Sequence, residues 1–391
     1  MDMDLGAQLD ETRQDSIVKL YRELLHTYSN AGLGWFWMKP LLMLRRRRLA
    51  REVDQAIKLA IRQKFAELRE SRRDNGSAGW VESGRSVLAL SLKDVDEITP
   101  DILQQTADQI KSFLFAGHDT TSIVLQWCFY ELSRSPRVFA ALRSELDQLF
   151  GPNPDPNTVV EALIARGEEL IGKLCYTSAV IKEILRLYPP AGTARMAPPG
   201  SGFFVKLPDG SKVCLDGMVL YSCHYAIQRD PAVFGETRDD FYPERWLGNV
   251  DTSEQSDGDV ASGSKADGEK TASTEGNGQI PPSAWRPFER GPRNCIGQEL
   301  ANLEARVILA CAVRRYEFIK VGLGEIVMQG GRPVEDANGQ YQAKGKLFNV
   351  RSLQKLTVRP MLTVSRQGKS LRSQLIRCLC GSDSAGKPDG S

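Results

Sequence analysis

Apolar residues recur at three- and four-residue spacing over Ser16 to Tyr28 and again over Arg46 to Arg72, where Ile57, Ala60, Ile61, Phe65 and Leu68 form one stripe. That spacing predicts two amphipathic helices. Between them, Gly32 to Leu44 is apolar and aromatic (Trp35, Phe36, Trp37, Leu41, Leu42) and abuts the basic run Arg45 to Arg48. The segment is too short to span a bilayer. Two readings stand: an interfacial dip, in which Trp and Phe beside Arg suit an anionic leaflet, or a helix–helix connection tucked into the core. Thr99-Pro100 has the form of a helix cap with Pro at the first helical position, and the pattern then runs to about Arg134, where Ser135-Pro136 stops it. Such a helix is roughly 50 Å long. Its apolar residues, among them Ile102, Ile110, Phe113, Leu114, Val124, Leu125, Phe129 and Leu132, lie on more than one face, which predicts central burial.

A further helix is expected from about Leu174 to Leu187, ending at Pro189-Pro190. Beyond it, Phe203 to Val205 and Val213 to Tyr221 have strand and hairpin character around Pro208-Asp209-Gly210. From Gly248 to Pro282 large apolar residues almost vanish in favour of Gly, Ser, Asp, Glu and Lys, which predicts a solvated insertion. The last helix, Ile296 to about Arg315, carries Leu300, Leu303, Val307 and Ala310 at core spacing, and a flexible tail is expected beyond Arg366. The pattern is mainly α with small β portions.

Composition narrows the function classes. Lys and Arg number 51 against 49 Asp and Glu in 391 residues, a net charge of +2, and this balance argues against a nucleic-acid binder. Met1 to Asp10 lacks the basic-then-apolar pattern of a secretory signal. The eight Cys include one close pair, Cys378 and Cys380 in the tail, so neither a disulfide framework nor a Cys-pair zinc site is indicated and a reduced, intracellular setting fits. His26, His118 and His224 are far apart and lack metal-ligand spacing.

Candidate chemistry concentrates in Phe288-Glu289-Arg290-Gly291-Pro292-Arg293-Asn294-Cys295-Ile296-Gly297. Cys295 stands at the start of the last helix, where the positive dipole end and free backbone N–H groups favour a thiolate. This run resembles the haem-binding loop of the cytochromes P-450, the haem-thiolate monooxygenases. The resemblance implies haem b with an axial thiolate from Cys295, which is also the metal ligand. It also implies Phe288, Gly291 and Gly297 around the macrocycle and Arg293 on a propionate. Ala116-Gly117-His118-Asp119-Thr120-Thr121, on the long helix, matches the family's oxygen-activation motif. There Asp119 and Thr120 would relay protons during reduction of O2. Glu183-Ile184-Leu185-Arg186 and Pro243-Glu244-Arg245-Trp246 match the two halves of a buried network joining Glu183, Arg186 and Arg245. Three buried charges demand mutual pairing, so this network is expected to specify structure more than to catalyse. Arg195 matches a position from which many members reach a second propionate.

These motifs occur in the family's order from about Thr99 to Arg366. The Cys295 to Ala301 run and the approach Ser283 to Phe288 look most like fungal enzymes of secondary metabolism that oxidise polyketide mycotoxin intermediates. The implied fold is the cytochrome P-450 fold lacking its N-terminal part. Residues 1–98 would be pocket-roof helices with a membrane-contact loop, 99–366 the haem-binding core with its insertion at about 248–282, and 367–391 the tail. The Trp-x-x-x-Arg that supplies further propionate contacts in the family has no match, since Trp35 is followed at that spacing by Lys39 and Trp127 by Glu131. The implied partners are O2, a lipophilic small molecule and an NADPH-dependent cytochrome P-450 reductase docking on a basic face that includes Arg286, Arg290, Arg314 and Arg315. The implied location is peripheral, on the cytoplasmic face of the endoplasmic reticulum membrane. Two hypotheses are carried: a monooxygenase inserting one oxygen atom of O2 into its substrate, or a truncated, inactive remnant that keeps the motifs. Haem-thiolate isomerisation is a third, which Asp119-Thr120 argues against.

Overall fold

The computed structural model describes residues 5–6, 12–29, 40–75, 86–248, 280–345 and 356–360. Two compact units divide it, Met1–His118 and Asp119–Lys369. The division falls inside the long helix, which the sequence reading assigns whole to a core beginning at residue 99.

In the first unit α1 (Ser16–Ser29) packs along α2 (Pro40–Asn75). Ile17 of α1 and Val53, Ile57, Ala60, Ile61 and Leu68 of α2 share a buried cluster with Leu88, Ala89 and Leu92 from the short α3 (Val87–Ser91) and its C-cap. The α2 residues recur at helical spacing, so one face of the helix closes the cluster while Arg and Glu occupy the other. Asp15 accepts from the amide of Ile17 at 2.7 Å and Ser86 from that of Ala89 at 3.1 Å, which satisfies orphan donors at two helix starts. Helix α2 begins at Pro40, six residues before the expected start. Gly32 to Lys39 of the aromatic segment lie outside the described residues, and Leu41 and Leu44 are exposed in the first turns of α2.

Helix α4 is one unbroken α-helix, Pro100–Arg134, with Thr99 Oγ1 accepting from the amide of Ile102 at 3.3 Å. Its expected central burial holds only in part. Leu103, Ala107 and Ile110 are buried, as is most of the stretch from Thr121 to Leu132, but Ser112 to His118 is largely open, with Phe113 and Phe115 exposed. Periodicity identifies an apolar face without saying whether another element covers it.

The second unit is a helical core flanked by short sheets. Helices α5 (Pro136–Phe150), α6 (Pro156–Gly172), α7 (Cys175–Leu187) and α10 (Gln298–Val313) pack through Leu142, Leu146, Val159, Val180, Ile184, Leu309 and Val313, each nearly solvent-free. Helices α5 and α6 follow the break expected at Ser135-Pro136. Pro136, expected to terminate α4, occupies the first turn of α5, as Pro156 does for α6 behind its Asp155 cap. Val138, Leu142 and Leu146 carried the helical spacing that could have found α5. Two short helices, α8 (His224–Ile227) and α9 (Pro231–Phe234), follow the first sheets.

Helix α10 corrects a second expectation: Leu300 and Leu303 are exposed, and its buried face is Ala305, Leu309, Ala310, Ala312 and Val313. The C-terminal half of α10 is the part held between the other helices, so the core stripe starts about a turn and a half late.

All named sheets are two-stranded antiparallel pairs. β1 (Thr193–Met196) pairs with β4 (Val219–Ser222), and β2 (Phe204–Lys206) forms a hairpin with β3 (Lys212–Cys214). Gly210 turns that hairpin at φ +84°, a conformation glycine adopts without steric cost. β5 (Tyr316–Lys320) pairs with β8 (Leu356–Pro360), and β6 (Met328–Gln329) with β7 (Arg332–Pro333). Residues 249–279 of the expected insertion and the tail beyond Arg366 lie outside the described residues. Among those described, no helix is long and apolar enough to cross a membrane.

Candidate active site

The cysteine loop is anchored before it turns. Trp285 Nε1–H donates to the carbonyl of Lys182 on α7 at 3.1 Å, and the amide of Arg286 donates to Gln228 Oε1 at 2.9 Å. The loop then reverses through Glu289 at φ +62° and Gly291 at φ +84°. The amide of Cys295 donates to the carbonyl of Phe288 at 2.8 Å and closes it, three residues before α10 begins. Cys295 is exposed. Gly291 meets the left-handed requirement that glycine serves. Gly297 sits at φ −87°, and a Cβ there would rest 3.9 Å from Cys295 Sγ in ordinary contact, so the described atoms do not demand glycine at that position.

Beside this loop lies a narrow cleft. Thr120, Thr121 and Val124 of α4 form one wall, Ile181 and Leu185 of α7 with Pro190 another, and Phe288 with Ala301, Asn302 and Ala305 of α10 a third. The fold thus brings Thr120 and Phe288, 168 positions apart in sequence, to one cleft. Asp119 is half-buried one residue earlier on the helix. Arg195 on β1 and Arg293 in the loop are exposed, and neither forms an ion pair among the described residues; Arg195 Nη1 donates to the carbonyl of Ala194 at 3.0 Å.

Glu183, Arg186 and Arg245 meet in a dense network. Glu183 and Arg186 are fully buried, with Arg186 Nε and Nη2 on the two carboxylate oxygens at 2.9 and 2.8 Å. Arg245 Nε donates to Glu183 Oε1 at 3.0 Å. Two partners went unread in the sequence: Trp246 Nε1 reaches Glu183 Oε2 at 2.9 Å and the amide of Tyr242 reaches Oε1 at 3.1 Å. Gln228 was also unread. Fully buried, it donates to the carbonyls of Leu185 and Arg186 while accepting from Arg286, so it couples the network to the start of the cysteine loop. A lone glutamine carries no signal in sequence.

A second buried group surrounds Glu131, to which Tyr188 Oη donates at 2.5 Å while its ring stacks on Trp127 at 3.8 Å. Burial pushes the Glu131 carboxyl up, although Arg134 pulls the other way. Arg314 corrects the expected basic docking face. Its side chain is buried, 3.1 Å from Asp147 Oδ1, and it donates to the carbonyls of Gly151 and Asn153 that follow α5. Satisfying those carbonyls takes the guanidinium out of solvent.

The sequence model of the cytochrome P-450 family matches residues 3–332. The chain belongs to the cytochrome P-450 family. It is 32% identical over 348 residues to the cytochrome P-450 monooxygenase acrF of Aspergillus aculeatus, covering 85% of this chain and 63% of that protein. It is 35% identical over 209 residues to the cytochrome P-450 monooxygenase polC of Polytolypa hystricis, covering 53% of this chain and 32% of that one. A rat mitochondrial 25-hydroxyvitamin D-1 alpha hydroxylase is 31% identical over 293 residues, 72% of this chain and 48% of its own length. The chain therefore spans about a third to two thirds of the length of these relatives.

Members of the family carry haem on a cysteine thiolate. The residues present fit such a group. An exposed thiol stands ahead of a helix N-terminus, the adjoining cleft is walled by apolar and small side chains, and the exposed Arg293 of the loop and Arg195 of β1 form no ion pair among the described residues.

Proposed function

We propose that the chain carries the catalytic part of a haem-thiolate monooxygenase, with Cys295 as the axial ligand and metal-binding residue. The carrying observation is the closed loop that holds Cys295 ahead of α10, beside the cleft that Thr120 and Phe288 share. When bound, haem with a thiolate on its iron supplies the reductive activation of O2 and the transfer of one oxygen atom. Cys295, held ahead of α10 by the bond that closes its loop, would supply the thiolate on binding haem. Arg293 and Arg195, neither ion-paired among the described residues, would pair the propionates, and Phe288 and Gly291 would flank the macrocycle.

Thr120 holds a proton at Oγ1 inside the cleft, and Asp119, half-buried on the same turn, exchanges protons with solvent and replenishes it. Val124, Ile181, Leu185 and Pro190 give the cleft walls that exclude water and accept a lipophilic molecule. A polyketide intermediate is the proposed substrate class, on the likeness of the Cys295 to Ala301 run to fungal enzymes of secondary metabolism. Electrons are supplied by an NADPH-dependent reductase docking through Arg286, Arg290 and Arg315. The exposed Leu41 and Leu44 beside Arg45 to Arg48 support peripheral contact with the cytoplasmic face of the endoplasmic reticulum.

The test is a carbon monoxide difference spectrum of the purified chain after haem reconstitution and reduction. A Soret band at the thiolate-ligated position, lost in Cys295→Ala, is the expected result. Absence of haem uptake assigns the chain to the inactive-remnant reading, and a thiolate band that survives in Cys295→Ala removes Cys295 as the ligand.

A further inference from the structure

Glu289 is the only non-glycine among the described residues with a positive φ, at +62°. A side chain held in that region marks a place where surrounding contacts outweigh local preference. The peptide unit joining Phe288 to Glu289 contains the carbonyl that accepts the Cys295 amide at 2.8 Å, and φ of Glu289 sets the orientation of that unit. Whatever holds Glu289 therefore holds the bond that closes the cysteine loop.

The holding groups come from three places. Thr193, at the start of β1, faces the Glu289 carboxylate with its hydroxyl. The amide of Arg290 reaches Oε1 at 3.3 Å, and Arg286 Nη2 stands 3.8 Å from the same oxygen. His224, which opens α8 and is 3% exposed, places Nε2 3.8 Å from Oε2. The Thr193 hydroxyl above all holds the Glu289 carboxyl below the usual carboxylate range; burial opposes it, and the Arg290 amide, His224 and Arg286 add smaller effects in the same direction as Thr193.

The histidine is incompletely satisfied as a neutral ring. Its Nδ1 lies 3.0 Å from the carbonyl of Ala191, an acceptor only, so Nδ1 must carry a hydrogen. In the neutral ring Nε2 is then a bare lone pair, buried, without a hydrogen-bond partner and facing a carboxylate. Arg286 is the other charged group beside this pair, while Thr193, the Arg290 amide and the Ala191 carbonyl complete its polar surroundings.

We propose that Glu289 is a positioning residue for the Cys295 loop, held against Thr193 at the start of β1 and against His224 at the start of α8. The tether is a property of the protein alone; its consequence for haem rests on Cys295 being the axial ligand proposed above. Holding the loop fixes the Cys295 backbone, so the tether governs how long the thiolate remains the ligand.

Residue-resolved amide hydrogen exchange on the full haem-free chain tests the tether directly. In Glu289→Ala and Glu289→Gly the Cys295 amide is expected to exchange at least tenfold faster than in the parent, while the Ile184 amide in α7 keeps its protection. Glu289→Gln, which retains an acceptor for Thr193 but no charge, falls between. His224→Gln is expected to speed exchange of the Cys295 amide severalfold. Unchanged Cys295 protection in both the alanine and glycine variants overturns the tether, and an unchanged rate in His224→Gln removes the histidine from it. Should the Glu289 variants lose Ile184 protection as well, Thr193→Val gives the smaller perturbation: a severalfold faster Cys295 exchange supports the tether and an unchanged rate overturns it. In haem-loaded samples the Glu289 variants are expected to pass severalfold faster from the thiolate-type to the neutral-thiol carbon monoxide spectrum. A response in exchange without one in the spectrum leaves the tether standing and overturns its consequence for the thiolate ligand.

Discussion

Replacing Glu183 by alanine removes the acceptor of five hydrogen bonds at once: two from Arg186, and one each from Arg245, Trp246 and the Tyr242 amide. Arg186 is fully buried and keeps carbonyl partners at Gln228, Arg238 and Asp240, so its charge stays inside with dipoles but no anion. Removing one partner of a buried ion pair costs about 3–5 kcal/mol, because the remaining charge is stranded. At about 1.4 kcal/mol per factor of ten, local opening of α7 becomes roughly two to three and a half powers of ten more populated. Glu183→Gln is expected to cost less. In either flip its amide nitrogen faces at least two of the five donors, while the oxygen still serves the rest. Because the chain divides into two units, a single unfolding midpoint is not the right observable. Native-state exchange of the Val180 and Ile184 amides reports the opening locally. An alanine variant that loses less than about 1 kcal/mol of protection at these amides would refute the reasoning, since it would mean that water or a rearranged side chain compensates Arg186.

Three further outcomes follow from the same geometry. Thr120→Ala should divert reductant to peroxide in the reconstituted system while leaving haem uptake intact, and Thr120→Ser should restore coupling; unchanged coupling in the alanine variant would remove Thr120 from the proton path. Arg314→Met should cost about 2–4 kcal/mol in urea denaturation followed by a probe in the second unit, because it strands the Gly151 and Asn153 carbonyls and Asp147, whereas Arg315→Met should change stability by under about 0.5 kcal/mol. Burial alone would raise the Glu244 carboxyl, but bonds from Arg137 and Tyr176 overcome it and hold the group below its ordinary value. Its stabilising contribution is therefore present above the unfolded pKa of about 4.3 and lost as pH falls through the lower folded value. Denaturation of Glu244→Gln against the parent should show a gap that is widest above about pH 5 and closes as the solution is acidified further.

Much of the helical layout was legible from spacing alone. Thr99-Pro100 marks the start of α4 to the residue, and the hairpin of β2 and β3 turns at the predicted Pro208-Asp209-Gly210. Helices α5 and α6 escaped because proline reads equally as the end of one helix and the first turn of the next. Periodicity placed Phe113, Leu300 and Leu303 in a core and the fold leaves them exposed, since a stripe tells which side is apolar and not what lies against it. Arg314 shows the converse. A charged residue at the end of a helix reads as surface, yet two carbonyls after α5 and a carboxylate draw it inside.

The sequence by itself determined the chemistry on offer: a cysteine ahead of a helix, a threonine within a helix, and a carboxylate three residues before an arginine. These are local facts, carried by residue type and spacing, and they hold wherever the segments end up. Tertiary structure alone decided which of them meet. It brought Thr120 and Phe288 to one cleft, gave Glu183 two donors from Tyr242 and Trp246, and set His224 against Glu289. The reason is that burial and hydrogen bonding act between surfaces, not along the chain. A buried carboxylate must find donors wherever the packing supplies them, and no spacing in the sequence records which distant residue will answer.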